Sequence, residues 1–334
     1  MRILIIHTAF IGDIVLSTPL IRALKDKYSD CEITYVTTPA GASILRNNPN
    51  ISEIIEYDKR GIHKGLKGIY ELGKRLRYKN FNMVITPHRY LRSSFLSWLT
   101  RAPIRKGYNI ATGSFFFTDK IPYINGEHEV LKLLRFVDEK VEKRYEIELY
   151  PDKENIKKIQ NLLGNIENKK IILIAPGSKW FTKKWPLEYF NEVIKSLELR
   201  KDIVQVIVGG QDELSLNIYK GKNVIDLRRK TSLLDMAQLA KLSTIILTND
   251  SSPIHIGSAW KKPHIIAIFG PTVKKFGFFP WSTNSEVIEE NNLECRPCSI
   301  HGGSKCPKGH FKCMMDIKPE KILEKIEATL KKEE

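Results

Sequence analysis

Short apolar runs alternate along the chain with longer stretches in which apolar residues recur at helical spacing. Residues 3–6 are followed by 14–27, Glu32–Thr37 by 41–47, and Met83–Thr86 by 90–99. Apolar runs bounded by turn residues are what strands buried on both faces look like, and regular strand–helix alternation predicts a doubly wound parallel sheet. A polar stretch, residues 152–170 (DKENIKKIQNLLGNIENKK), then intervenes as a helical connection. The alternation restarts beyond it with 171–175, 186–199, 204–208, Leu233–Leu242, 245–248 and 265–269, which predicts a second α/β unit. The last helix, Pro319–Lys332, places Ile322, Leu323, Ile326 and Leu330 on one stripe and so must pack on something.

The length of 334 residues agrees with two units at roughly 100–200 residues each. With 42% hydrophobic and 28% charged residues the chain has material for sizeable cores and no disorder signature. Its 16 prolines and 20 glycines are spread among turns, with no repeat of solenoid period. The opening apolar run is soon broken by His7, Gly12 and Asp13, unlike a signal peptide, and no later stretch approaches the roughly 18 apolar residues of a membrane span. The expectation is a cytoplasmic protein. Lysine and arginine exceed acids by 54 to 38, a formal charge of +16. Such a charge steers toward anionic partners, whether nucleic acid, anionic membrane or phosphorylated substrate, and it also describes an ordinary basic surface.

In α/β units ligands bind beyond the carboxyl ends of the parallel strands, so an inter-domain cleft lined by strand-to-helix loops is the expected site. Three loops carry candidate chemistry. In the first, HTAFIGD (residues 7–13), Asp13 stands where a helix begins. An aspartate there caps free N–H groups or favours the positive end of the helix dipole, and it can equally serve as a general base. The second, APGSKWFTKKWP (175–186), combines a Pro-Gly-Ser turn with Lys179, Lys183 and Lys184 ahead of a helix opening at Pro186. Helix-terminal amides and lysines together suit a diphosphate, although no Walker A pattern is present. The third, TNDSSPIHIGSAWKKPHIIAIFGPT (248–272), sets Asp250, Ser251, Ser252 and His255 at a helix N-terminus and ends in the turn Gly270-Pro271-Thr272.

These three stretches, GDIVLSTPLIRALK, PGSKWFTKKWP and NDSSPIHIGSAWKKPHIIAIFGPT, resemble in order and spacing the signatures of the family 9 glycosyltransferases, the ADP-heptose:lipopolysaccharide heptosyltransferases. The resemblance extends over essentially the whole chain. It implies a GT-B fold, with an acceptor-binding unit over residues 1–165, a nucleotide-sugar unit over 166–318, and a closing helix, 319–334, that packs back toward the first unit. It implies Asp13 as catalytic base, Ser178, Lys179 and Lys183 as diphosphate contacts, Asp250, Ser251, Ser252 and His255 as donor contacts, and Glu213 as the ribose-binding acid. Ser252 stands where the family usually has glycine. It further implies an inverting transfer that requires no catalytic cofactor, an acceptor in the lipopolysaccharide inner core, and contact with the inner-membrane surface. Lys59, Arg60, Lys64, Arg89 and Arg92 are candidates to meet that anionic acceptor, alongside the plainer reading of a solvated basic face.

Four of the five cysteines, Cys295, Cys298, Cys306 and Cys313, close the second unit in CRPCSIHGGSKCPKGHFKC. The spacing suggests a structural zinc held by four thiolates, with His301 and His310 in reserve, although the second pair lacks the tight Cys-x2-Cys knuckle. The same stretch resembles the C-terminal segment of heptosyltransferase II-type sequences, which implies addition of the second heptose. Two other readings stand beside this one. A GT-B transferase using another nucleotide-sugar is excluded by no residue. A basic zinc-containing nucleic-acid binder requires aromatics interleaved with the basic residues, which the cysteine-rich tail does not display.

Overall fold

The computed structural model describes residues 1–59 and 61–332, so Arg60 lies outside the described residues. The chain forms two compact units, Met1–Tyr150 and the remainder from Pro151 onward.

The first unit is a six-stranded parallel sheet of β1 (Arg2–Ile6), β2 (Glu32–Thr37), β3 (Glu53–Glu56), β4 (Met83–Thr86), β5 (Ile104–Tyr108) and β6 (Asp119–Ile121), in the order β3-β2-β1-β4-β5-β6. Its helices are α1 (Ile11–Leu16), α2 (Thr18–Lys27), α3 (Pro39–Leu45), α4 (Gly65–Arg77), α5 (Leu91–Leu99) and α6 (Glu129–Leu134). Leu4, Ile6, Val36 and Val84 of the sheet share one core with Ile69, Leu72 and Leu76 of α4 and Leu96 of α5. The single helix expected over 14–27 starts earlier, at Ile11, and is divided at Ser17. Pro19, in the first turn of α2, has no N–H to continue the ladder, and the Ser17 hydroxyl turns back to donate to the Ile14 carbonyl at 2.7 Å.

The second unit comprises α7 (Lys153–Leu163), β7 (Lys170–Ala175), α8 (Leu187–Ser196), β8 (Ile203–Ile207), β9 (Val224–Asp226), α9 (Leu233–Leu242), β10 (Ile245–Asn249), α10 (Ser252–Gly257), β11 (His264–Phe269), β12 (Ser285–Glu289), α11 (Lys312–Met315) and α12 (Pro319–Lys332). Its parallel sheet runs β12-β11-β10-β7-β8-β9, the same winding as the first.

Two boundaries differ from the sequence-based expectation. Helix α7, assigned above to the first unit, belongs to the second: Asp235 at the start of α9 takes Lys158 at 2.6 Å and Asn155 at 2.7 Å. Helix α12, expected to pack back toward the first unit, buries Ile322, Ile326 and Leu330 in the second unit's own core with Ile266, Ile268 and Phe190. It packs on α8 and β11, and the ion pair Arg200–Glu327 at 2.6 Å holds it in register. An amphipathic stripe identifies the need for a partner surface but not which surface.

Candidate active site

Each sheet reverses its winding once, between β1 and β4 in the first unit and between β7 and β10 in the second. Loops that leave adjacent strands in opposite directions open a crevice at such a point, and both candidate sites lie there.

In the first unit, β1 delivers His7 and Thr8 to the crevice and β4 leads to His88. The two imidazoles are buried or nearly so, 6.3 Å apart by ring centroid. His88 Nδ1 pairs with Ser93 Oγ at 2.7 Å, and Lys59 Nζ donates to the Thr8 carbonyl at 2.9 Å. Burial, with the fields of His88 and Lys59, drives His7 to a pKa of about 3, and burial with Lys59 and Arg89 does the same to His88. Both are therefore neutral hydrogen-bonding groups at physiological pH. Lys59 itself falls to about 8, through burial and the neighbouring Arg92.

Asp13 lies one turn into α1, where its Oδ2 accepts the Phe10 N–H at 3.1 Å. The capping role is thus real. It does not exhaust the side chain, because desolvation and the field of Glu129 raise the carboxyl to about 7, against the opposing pull of the Phe10 N–H and Arg89. A carboxylate poised near neutral pH can take a proton and release it again, which suits general-base work. Glu129 is nearly buried at the start of α6, where Lys132 holds it at 3.2 Å. Of the basic residues proposed for the acceptor, Lys59 and Arg89 come to this crevice. Arg92 instead donates to the Gly65 carbonyl at 3.0 Å and lies near the Tyr57 ring, and Lys64 is exposed ahead of α4.

In the second unit the loops after β7 and β10 are knotted together. Asn249 donates to the Pro176 carbonyl at 2.7 Å and accepts the Trp185 N–H at 3.0 Å, which fixes both ends of the lysine-rich loop. The Ser251 hydroxyl donates to the Gly177 carbonyl at 3.3 Å rather than capping α10. Lys183 reaches Asp250 Oδ2 at 2.7 Å, and the Thr272 hydroxyl donates to the same oxygen at 2.6 Å. Asp250, proposed as a direct donor contact, therefore already holds Lys183 in place, and the three loops converge on one buried carboxylate. Ser178 and His255 are buried beside them and Ser252 is partly so, whereas Lys179 is exposed over the Trp180 ring.

Glu213 lies at the same edge. Its carboxylate accepts the Gly210 N–H at 2.7 Å and approaches Gly177 so closely that a Cβ on that residue would sit 2.6 Å from Glu213 Cδ. Any larger residue there would have to push the Glu213 carboxylate aside. Arg228, buried and gripped by Asp226, donates to the Glu213 and Leu216 carbonyls at 2.7 Å each and so anchors this turn.

The cysteine-rich segment braces the same loops. Thr182 and Gly303 exchange hydrogen bonds, with Gly303 N–H to Thr182 Oγ1 at 2.7 Å and Thr182 N–H to the Gly303 carbonyl at 3.1 Å. The Cys298 N–H donates to the Pro271 carbonyl at 3.0 Å, Arg296 donates to the Thr272 carbonyl at 2.7 Å, and the Phe181 and Phe311 rings stack. The four cysteines lie near enough to feel one another's charge: burial, and then Cys298, push the Cys313 thiol up to about 11. Among the described residues no three His, Cys, Asp or Glu side chains gather as a metal-binding set. The Cys298 thiol turns to the Cys295 carbonyl at 3.1 Å, Cys295 lies near His310, and Cys313 is buried in the core beneath.

Asn249, Thr272 and His7 sit inside the quoted loops, so their positions were visible in the sequence while their roles were not. Glu129 and Arg228 carry no local signal and reach the sites only through the fold.

Two six-stranded parallel sheets of one winding, each with a crevice at its switch point, are the two Rossmann-like units of a GT-B fold. The chain belongs to glycosyltransferase family 9 (heptosyltransferase), whose model matches residues 69–306. A lipooligosaccharide heptosyltransferase 2 of Campylobacter jejuni is 30% identical over 335 residues, covering 98% of each chain. The chain is similar in fold to a family 9 glycosyl transferase of Veillonella parvula (TM-score 0.87, 23% identity, 99% and 97% covered). It is similar likewise to the Escherichia coli ADP-heptose lps heptosyltransferase II (TM-score 0.82, 20% identity, 100% and 99% covered). Among the described residues no helix is long and apolar enough to cross a membrane.

Proposed function

We propose that the protein transfers heptose from ADP-L-glycero-D-manno-heptose to the inner core of lipopolysaccharide or lipooligosaccharide, with inversion at the anomeric carbon, and that it adds the second heptose. The observation that carries the mechanism is Asp13, a carboxyl held at a helix start and raised to about 7. Asp13 accepts the proton of the acceptor hydroxyl as that oxygen attacks the anomeric carbon and the C–O bond to the diphosphate breaks. Positive charge spreads over the anomeric carbon and ring oxygen, as in glycoside hydrolysis, while negative charge gathers on the leaving diphosphate. Lys183, set by Asp250, meets that charge with Lys179, Ser178 and the amides of the 176–178 turn, and Ser251, Ser252 and His255 hold the sugar and phosphate. Glu213 binds the ribose. No step draws on a metal ion.

The donor and the second-heptose assignment are supported by the full-length similarity to heptosyltransferases named 2. An anionic acceptor is supported by Arg89, whose charge acts on Asp13, and by Lys59, which reaches the Thr8 carbonyl of the same crevice. The test is to incubate the protein with defined inner-core acceptors and ADP-heptose, with UDP- and GDP-sugars as controls, and to weigh the product. One added heptose on the mono-heptosylated acceptor is the expected result. Turnover of another donor with none of ADP-heptose overturns the donor assignment.

A further inference from the structure

Helix α4 buries Ile69, Leu72 and Leu76 in the first unit's core, and its opposite, exposed face mixes large apolar with basic side chains. Leu66, Tyr70, Lys74 and Arg77 follow one another at spacings of four, four and three, which puts them on one exposed stripe. Leu66 is 81% exposed and Tyr70 61%, and Ile62 in the preceding turn is 84% exposed. The helix carries Lys67, Lys74, Arg75 and Arg77 against the single acid Glu71, which Lys67 pairs at 3.9 Å.

The stripe does not end with the helix. Helix α5 packs on α4, and the Arg92 bond to the Gly65 carbonyl ties their starts together, bringing exposed Tyr90 and Leu91 alongside. The Thr112 N–H donates to the Arg89 carbonyl at 3.0 Å, which brings in the loop carrying exposed Phe115. Scattered single apolar residues on a surface need no explanation, but several contributed by neighbouring elements and ringed by lysine and arginine form a patch.

We infer that the α4 face of the first unit, with Ile62 and the start of α5, docks on a lipid bilayer surface bearing anionic headgroups. Leucine, isoleucine and tyrosine enter the headgroup–acyl boundary while lysine and arginine meet the lipid charge, the division of labour of interfacial helices. Charge complementarity selects this occupant, because the excess of basic side chains on the stripe would oppose a second copy of the same face. The inference extends the transferase reading, since an acceptor anchored in lipid is met at such a surface, but its test requires neither donor nor acceptor.

The full chain is sedimented with phosphatidylcholine vesicles with and without phosphatidylglycerol, at low and high salt. Binding to the anionic vesicles that weakens with salt is expected. Lys74→Gln with Arg77→Gln should weaken it roughly thirtyfold, at about fivefold per basic residue. Leu66→Ser with Tyr70→Ser should weaken it at least roughly tenfold, with thermal melts unchanged because both residues are exposed. Absence of binding to anionic vesicles overturns the inference, as do both double variants binding like the parent. A change in sedimentation coefficient with no loss of vesicle binding also overturns it, in favour of a self-association surface. A chain that binds vesicles yet makes no heptosyl product refutes the transferase reading alone.

Discussion

Replacing Asp13 by asparagine removes the proposed base and keeps an oxygen that can accept the Phe10 N–H. General-base assistance is typically worth about 10²–10⁴-fold, and turnover should fall by that much. The structure adds a second, opposite consequence. The displacement of the carboxyl from 3.8 to about 7 corresponds to about 4 kcal/mol of preference for its protonated form in the folded chain. Because the folded pKa is raised, stability from this group is present below pH 3.8, declines as pH rises through the window, and is gone above about 7. A neutral amide has no such dependence, so Asp13→Asn should be more stable than the parent at pH 8 and no more stable at pH 4. The side chain is partly exposed, and solvent screening reduces the gain to about 1–2 kcal/mol, or roughly 2–8 °C in Tm. Paired melts across pH, read beside the pH dependence of kcat, give both numbers. The parent's kcat should rise with pH through about 7 as the carboxyl ionises. A variant that is inactive but destabilised at pH 8, or one that turns over normally, refutes the assignment of Asp13 as a base held in an unfavourable charge state.

The remaining expectations concern the second unit. Lys183→Met removes a proposed diphosphate contact and strands the Asp250 carboxylate, so donor affinity should drop and stability fall by about 3–5 kcal/mol, as calorimetry with the nucleotide and denaturant melts would read. In Lys183→Arg, which retains the ion pair, stability should largely return. Gly177→Ala drives a methyl into Glu213, and the KM for donor should rise while that for acceptor stays put. Ile326→Ala should cost about 2–5 kcal/mol by opening a cavity beneath β11, with transfer by the surviving folded protein unchanged.

The strands and most helices were legible because a strand buried on both faces must be an unbroken apolar run, and the flanking turns carry their own residues. Strands β3, β5, β6, β9 and β12 escaped notice because their sequences, EIIE, IRKGY, DKI, VID and SEVIE, carry charge or glycine and lie at or toward sheet edges where solvent reaches them. The site was half legible. Asp13, Lys183 and Asp250 announce themselves by standing in strand-to-helix loops. That Asp250 holds Lys183 instead of pointing outward, and that Glu129 tunes Asp13 from well over a hundred residues away, are facts of sheet order. The resemblance that correctly implied two Rossmann-like units misplaced the last helix, since the stripe Ile322-Ile326-Leu330 fits any apolar surface and α8 with β11 offers one first.

The exchange between Thr182 and Gly303, together with the grip of Arg296 on the 270–272 turn, also fixes an order of events during synthesis. The whole first unit, with Asp13, has been synthesised by Tyr150. The loops after β7 and β10 are made next, but their brace is encoded more than a hundred residues after Thr182. A nascent chain therefore carries a finished first unit for some time before the loops of the second are locked, which happens only once the polypeptide has grown past Gly303.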